Sequence, residues 1–276
     1  MTTAETPVHD SAVTQRLLDM ALWRGSHQAL ADSQGSRSYT YAELAVAIGV
    51  AAAGLASRGL HPRDVVGVHV PDVVSYVLAT HAIRAAGGVP SPVAAGLTVP
   101  EIAGQLADCG ARMLLTAPPL AATALAAADR SWVRQVISFG DAPGAISFDA
   151  LLRSGSRQPV TCRRSDPVLL SYLRQPDGSL SPVALTQQEL AAELSRLAAV
   201  AQIAAADVVI TAPPAGDGRA YSVAVDHALL SGATMVASPA GQLLATAVAW
   251  RGTVAIAGRR EDVAANQSLR FLAVGS

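Results

Sequence analysis

The chain runs to 276 residues, enough for one large α/β domain or two smaller ones to bury a core without disulfide staples. Half of it (51%) is hydrophobic, much of that alanine, and only 15% is charged against about 25% in an average chain, which excludes disorder over most of the length. The net charge of -1 argues against a nucleic-acid partner; no apolar stretch reaches the roughly 20 residues of a membrane span, and no basic segment leads an apolar N-terminal core, so a cytoplasmic protein is expected.

Residues 1–10 read as a loose leader and 11–23 as an amphipathic helix. Two short extended stretches, 28–32 and 37–39, face each other across a polar turn and predict a hairpin. Thr40-x-x-Glu43 is a capping box opening a helix that Gly59 stops. A strand over 65–70, a helix from Pro71-Asp72 to Gly87-Gly88 and an extended piece to Pro92 follow. A second capping box, Thr98-x-x-Glu101, starts a helix to Asp108; then come strand 113–116, helix 120–128 and strand 133–139.

The stretch Arg153 to Ser165 is polar, carries Arg157, Arg163 and Arg164, and lacks periodicity; it predicts a boundary between a first lobe (11–155) and a second (156–276). Beyond it the pattern predicts strand 168–172, a loop rich in Gly, Pro and Ser, and a third capping box, Thr186-x-x-Glu189, opening a helix to about 201. Strand 208–211, helix 221–230, strand 234–237, helix 243–250, strand 253–257 and strand 269–274 complete the alternation. Apolar strands without alternation imply an α/β fold of two lobes, each a mainly parallel sheet flanked by helices, with function in the loops at the carboxyl ends of strands.

All 20 basic side chains are arginine, and lysine is absent. Arginine keeps its proton, so Schiff-base and lysine general-base chemistry are excluded for these residues, as is a Walker-type phosphate loop. Cys109 and Cys162 make no metal box or disulfide framework. His61 falls on a turn, His69 in a strand, and His81 and His227 on helices without metal-ligand spacing, so they read as solvated or satisfied core histidines and no metal site is expected. No G-x-S-x-G elbow occurs. Gly216-Asp217-Gly218 is a partial dinucleotide finger whose third glycine position is filled by Tyr221, and Arg259-Arg260-Glu261-Asp262 reads as a solvated helix start.

Three blocks in order, Ser38-Tyr39-Thr40-Tyr41-Ala42-Glu43-Leu44, Gly59-Leu60-His61-Pro62-Arg63-Asp64-Val65-Val66-Gly67-Val68 and Ala85-Ala86-Gly87-Gly88-Val89-Pro90, resemble the opening of acyl-adenylate-forming enzymes such as acyl-CoA synthetases. The likeness continues through Leu97-Thr98-Val99-Pro100-Glu101-Ile102 and Gln105 to Arg112. It implies the fold of that family's N-terminal part, with a phosphate loop after the strand at Asp166. Family members read close to S-S-G-T-T-G-L-P-K-G-V-x-L-T-H-x-N-L there; this chain has Leu173-Arg174-Gln175-Pro176-Asp177-Gly178-Ser179-Leu180-Ser181-Pro182-Val183-Ala184-Leu185-Thr186-Gln187-Gln188-Glu189-Leu190. Gln175 stands where a glycine would free the backbone, Pro176 removes an N–H donor, Asp177 adds a charge repelled by phosphate, and Ser181 takes the lysine position. The phosphate-loop positions Arg174, Asp177, Gly178, Ser179, Ser181 and Thr186 are the candidate ligand site, Arg174 reading as an ordinary solvated loop arginine or else as a replacement cation, and no catalytic residue is assigned.

In the looser register of the second lobe, Asp207-Val208-Val209-Ile210 and Leu230 to Val236 resemble the family's strand, helix and strand around an aromatic-histidine motif, with Asp217 at the histidine. The run Ser268 to Ser276 resembles the strand before its Gly-rich turn. The family's adenine pocket, ribose-binding acid, hinge and mobile domain with its catalytic lysine all belong beyond that point, so a truncated relative is expected. Two functions follow: a degenerate, non-catalytic scaffold that binds a ligand or protein, needs no cofactor, and is a homodimer or covered by a protein partner on an apolar surface; or a subunit or fragment of an ATP- and magnesium-dependent acid-activating ligase completed by another chain.

Overall fold

The computed structural model describes residues 12–153, 155, 159–212, 217–257 and 269–274. The expected leader, Arg157, Gly216, the run Arg259-Arg260-Glu261-Asp262, and Ser268, Gly275 and Ser276 lie outside them.

Helix α1 (Val13–Arg24) leads into β1 (Gln28–Asp32) and β2 (Ser38–Thr40), the hairpin that the sequence predicts. Asp32 closes its turn by accepting the N–H groups of Gln34, Ser36 and Arg37. At the start of α2 (Tyr41–Ser57), Thr40 accepts the Glu43 N–H at 3.2 Å while Glu43 accepts the Thr40 N–H at 2.8 Å, so two orphan donors are satisfied reciprocally. Then come β3 (Val65–His69), α3 (Val73–Ala85), β4 (Val89–Pro92), α4 (Val99–Asp108), β5 (Met113–Thr116), α5 (Ala121–Ala128) and β6 (Gln135–Ser138), all in the predicted order. A two-residue edge strand, β7 (Ile146–Ser147), is too short to leave a periodic signal.

The second half contains β8 (Pro167–Arg174), β9 (Leu180–Thr186), α6 (Gln187–Val200), β10 (Val208–Thr211), α7 (Gly218–Leu230), β11 (Thr234–Ala237), α8 (Leu243–Trp250), β12 (Val254–Ala257) and β13 (Arg270–Ala273). Here the expected Gly/Pro/Ser-rich loop is corrected: residues 180–186 are a strand, paired antiparallel with β8 from Arg174 opposite Leu180 down to Pro167 opposite Thr186. Pro182 masked it, because proline depresses strand propensity; in a two-stranded ribbon both strands are edges, and an edge tolerates the lost donor.

One sheet runs β13-β12-β10-β11-β1-β2, parallel except for β2; the other runs β4-β3-β5-β6-β7, parallel throughout. Sheet membership crosses the expected 155/156 lobe boundary. Leu30 of β1 lies opposite Met235 of β11, so the six-stranded sheet takes strands from both sides of it. Helices α2, α3 and α7 fill the space between the sheets, joining Val66, Leu115 and Ile137 of one to Val209, Met235 and Ile256 of the other in a single core. Every residue of α3 is buried, as expected for a helix covered on all sides. Ala51, Ala52, Ala79 and Ala82 contribute to this layer without rotamer entropy to lose, one use of the abundant alanine. Outside, α4 and α5 cover the five-stranded sheet over Leu106, Leu114 and Val136, and α8 covers the six-stranded sheet over Ile210, Val236 and Ala255. Among the described residues no helix is long and apolar enough to cross a membrane.

Candidate functional site

The carboxyl ends of β3, β4 and β8 converge with the N-terminus of α7 around a cavity of about 640 Å³. Its walls include Val68, Leu97, Leu180 and three tyrosines, Tyr76, Tyr172 and Tyr221. This is the region where parallel sheets bind ligands, and the size lies within the usual range for small-molecule sites.

The tyrosines are set by their neighbours. Tyr76 and Tyr221 meet edge to face with centroids 5.1 Å apart, and the Tyr76 hydroxyl lies 2.5 Å from Ser222 Oγ. Burial pushes the Tyr76 phenol up to about 12. Tyr172 donates to the Asp108 carboxylate at 2.5 Å; burial, then that carboxylate, drive its pKa up as well. Gln105 donates to Ser91 Oγ and to the Pro92 carbonyl. Gly218 allows α7 to approach, since a Cβ there would sit 2.9 Å from Pro92 Cβ and 3.2 Å from Ser171 Oγ. Tyr76 and Tyr172, held protonated and tied to partners, can shape and orient a ligand, and they supply no base at neutral pH.

The expected phosphate loop forms the tip of the β8–β9 ribbon. Three of its backbone donors are spent within the turn: Gln175 N–H reaches the Ser179 carbonyl at 2.8 Å, Gly178 N–H the Gln175 carbonyl at 2.9 Å, and Ser179 N–H the Asp177 carboxylate at 2.9 Å. The Ser179 hydroxyl donates to the same Asp177 oxygen at 2.7 Å, and these two bonds hold the Asp177 carboxyl below its ordinary pKa. Gly178 supplies the left-handed residue of the turn at φ +86°, which a side chain would strain. The chain's own carboxylate thus occupies donors that a phosphate oxygen would need.

Arg174, the candidate replacement cation, is also engaged. It donates to the Gly178 carbonyl at 2.8 Å and to Glu101 Oε1 at 2.6 Å, tying the ribbon to the start of α4. Glu101 in turn accepts the N–H and hydroxyl of Thr98; bonds from Thr98 and then Arg174 lower its pKa to about 2. Arg174, Asp177, Gly178 and Ser179 therefore come together. Ser181 sits on β9 opposite Leu173, and Thr186 caps α6 at the far end of that strand, six residues or about 20 Å from Leu180 at 3.3 Å per residue. Asp217 is the N-cap of α7, its Oδ1 accepting the N–H groups of Arg219 and Ala220.

The expected core histidines are buried with one ring nitrogen each at an acceptor, and His69 Nε2 is buried without a hydrogen-bond partner among the described residues. His69 Nδ1 lies 3.2 Å from the Val93 carbonyl and His227 Nε2 2.7 Å from the Ala201 carbonyl. His81 belongs to a buried cluster that sequence spacing could not reveal, lying 3.0 Å from Thr14 Oγ1 and 3.2 Å from Asp226, which also pairs with Arg84 at 2.8 Å. Only His81 and Arg84, at i and i+3 of one apolar helix, carried a local signal. Among the described residues no group of three His, Cys, Asp or Glu side chains could hold a metal.

Comparison with known proteins places this geometry. A 4-coumarate–CoA ligase-like protein of Oryza sativa subsp. japonica is 33% identical over 208 residues, 71% of this chain and 37% of its own length. An oxalate–CoA ligase of Arabidopsis thaliana is 26% identical over 253 residues, 86% of this chain and 47% of its own. The crystal structure of a long-chain-fatty-acid–CoA ligase from Archaeoglobus fulgidus superposes with a TM-score of 0.79 at 20% identity, covering 90% of this chain and 51% of that one; at this identity the likeness shows the fold. The chain spans less than half the length of these two curated relatives. The family model described as AMP-binding enzyme matches residues 21–255, and the chain belongs to that family.

Proposed function

We propose that this chain is a degenerate acyl-CoA-ligase-like domain that binds a ligand or a protein without activating a carboxylic acid. The observation carrying this reading is the self-satisfied ribbon tip. Gln175, Gly178 and Ser179 spend their N–H groups internally, Pro176 has none, Asp177 puts a negative charge among them, and Arg174 is paired with Glu101. A triphosphate would have to displace the Asp177 carboxylate and would find Ser181 where the resemblance places lysine. The loop does not fit ATP, and no chemical step is assigned through it. The cavity of about 640 Å³ beside it remains suited to a small, largely apolar molecule.

The test is thermal unfolding with and without magnesium-ATP. No rise in Tm and no pyrophosphate exchange are expected, because only a ligand that binds the native state stabilises it. A clear rise in Tm with exchange activity refutes the reading. The alternative, a subunit or fragment of an ATP-dependent ligase completed by another chain, draws on the match to less than half of the relatives' length. It requires nucleotide binding when that second chain is present, and the same assay on material captured with its partners distinguishes the two.

A further inference from the structure

The cavity of about 640 Å³ beside the ribbon tip is unevenly supplied with polar groups. Its main donors are spent. Ser222 Oγ donates to the Gly218 carbonyl at 2.7 Å, so the Tyr76 hydroxyl is the donor to Ser222; Tyr172 donates to Asp108, and Asp217 Oδ1 takes the N–H groups of Arg219 and Ala220 at the start of α7. Acceptors are left over. Gln105 is 3% exposed and lines the cavity; its Nε2 donates to Ser91 Oγ at 3.1 Å and to the Pro92 carbonyl at 2.9 Å, and because a carbonyl only accepts, the orientation of the amide is fixed. Gln105 Oε1 then has no partner among the described residues and is not one of the polar atoms sealed from solvent, so it opens on the cavity. Arg174 and Asp217 are the charged residues that line this space; Arg174 is paired with Glu101 at 2.6 Å, whereas Asp217 has no ion-pair partner among the described residues. The two acceptors flank Pro92, since Gly218, next to Asp217, lies so close that a Cβ on it would sit 2.9 Å from Pro92 Cβ.

We propose that this cavity binds a primary amine with an apolar body, its ammonium group shared between Gln105 Oε1 and the Asp217 carboxylate and its body against Val68, Leu97 and Leu180. The assignment rests on the reading of this cavity as the ligand site of a domain that does not activate acids. Donor count and charge select the class. An aliphatic amine is protonated at neutral pH and brings three donors and one positive charge, matching two acceptors and one carboxylate without a counter-ion. A carboxylate of the same size would set acceptors against acceptors and its charge against that of Asp217. Neutral molecules of that shape keep the apolar contacts and lose the charge-assisted bond.

Calorimetric titration with phenethylamine, phenethyl alcohol and hydrocinnamate, which share one body and differ in charge, reads the preference. Phenethylamine is expected to bind about tenfold or more tightly than hydrocinnamate, with the alcohol between them, and to lose affinity as salt rises. Asp217→Asn keeps a side chain that caps α7 and removes the charge, so amine binding should weaken about tenfold while the alcohol shifts about twofold or less; Gln105→Leu should weaken the amine about fivefold. Hydrocinnamate binding as tightly as phenethylamine overturns the proposal, as does unchanged amine affinity in a folded Asp217→Asn variant. Magnesium-ATP in the same titrations separates this assignment from the reading beneath it. No heat with phenethylamine and no response to magnesium-ATP overturns the amine site alone, whereas preferred binding of hydrocinnamate with pyrophosphate exchange overturns both.

Discussion

Replacing Asp226 with leucine tests how the middle helical layer tolerates charge. Asp226 and Arg84 have side chains 2% and 4% exposed, with Nη1 and Oδ2 2.8 Å apart and His81 Nε2 on the other oxygen at 3.2 Å. Asp226→Leu leaves the guanidinium buried with the Val168 carbonyl as its remaining partner among the described residues. Stripping one partner from a buried pair costs about 3 to 5 kcal/mol, because the surviving charge can neither reach water nor find a counter-ion. At about 2 to 4 °C per kcal/mol for a chain near this size, Tm should fall by roughly 6 to 20 °C. Arg84→Met/Asp226→Leu, which replaces the pair with apolar groups of similar volume, should recover most of that loss, giving a coupling of about 2 kcal/mol or more. Urea unfolding followed by circular dichroism, with slopes compared to exclude a change in the unfolded state, measures all four corners of the cycle. A cost below about 1 kcal/mol for Asp226→Leu, or additive costs in the double variant, refutes the argument that an uncompensated buried charge dominates.

Other outcomes follow from the same geometry. Burial lowers the pKa of His81 and His69, so the unfolded chain binds more protons than the folded one; stability should therefore decline as pH falls below about 6.5, by up to about 1.4 kcal/mol per unit for each histidine, and His81→Gln should flatten the slope of urea midpoint against pH between 7 and 5.5. Tyr41→Phe removes a buried hydroxyl that donates to the carbonyls of Leu229 and Ala233, at a cost of about 1 kcal/mol in the same denaturation assay. Gly218→Ala forces a methyl against Pro92 and Ser171 and should lower stability by about 1 to 3 kcal/mol through overpacking; an unchanged urea midpoint contradicts the tight approach of α7 to β4.

Local chemistry left clear marks. The capping pairs Thr40 with Glu43 and Thr186 with Glu189 start α2 and α6 where the sequence places them, because a cap is decided within four residues. Apolar runs such as Val65 to Val68 and Met113 to Thr116 announced buried parallel strands for the same local reason. Gln175, Pro176, Asp177 and Ser181, on which the proposed loss of nucleotide binding rests, are equally legible, since each sets donors or charge at its own position.

What the sequence by itself determined was therefore the α/β alternation, most element positions and which donors and charges stand at the ribbon tip. Only the tertiary structure decided partnership. It set β1 beside β11 across some two hundred residues, turned an expected loop into β9, committed Arg174 to Glu101, and brought His81 and Arg84 against Asp226. Periodicity records whether a residue faces a core; it carries no label for the residue met there, because burial free energy is non-directional while ion pairs and strand ladders depend on positions far apart in the chain.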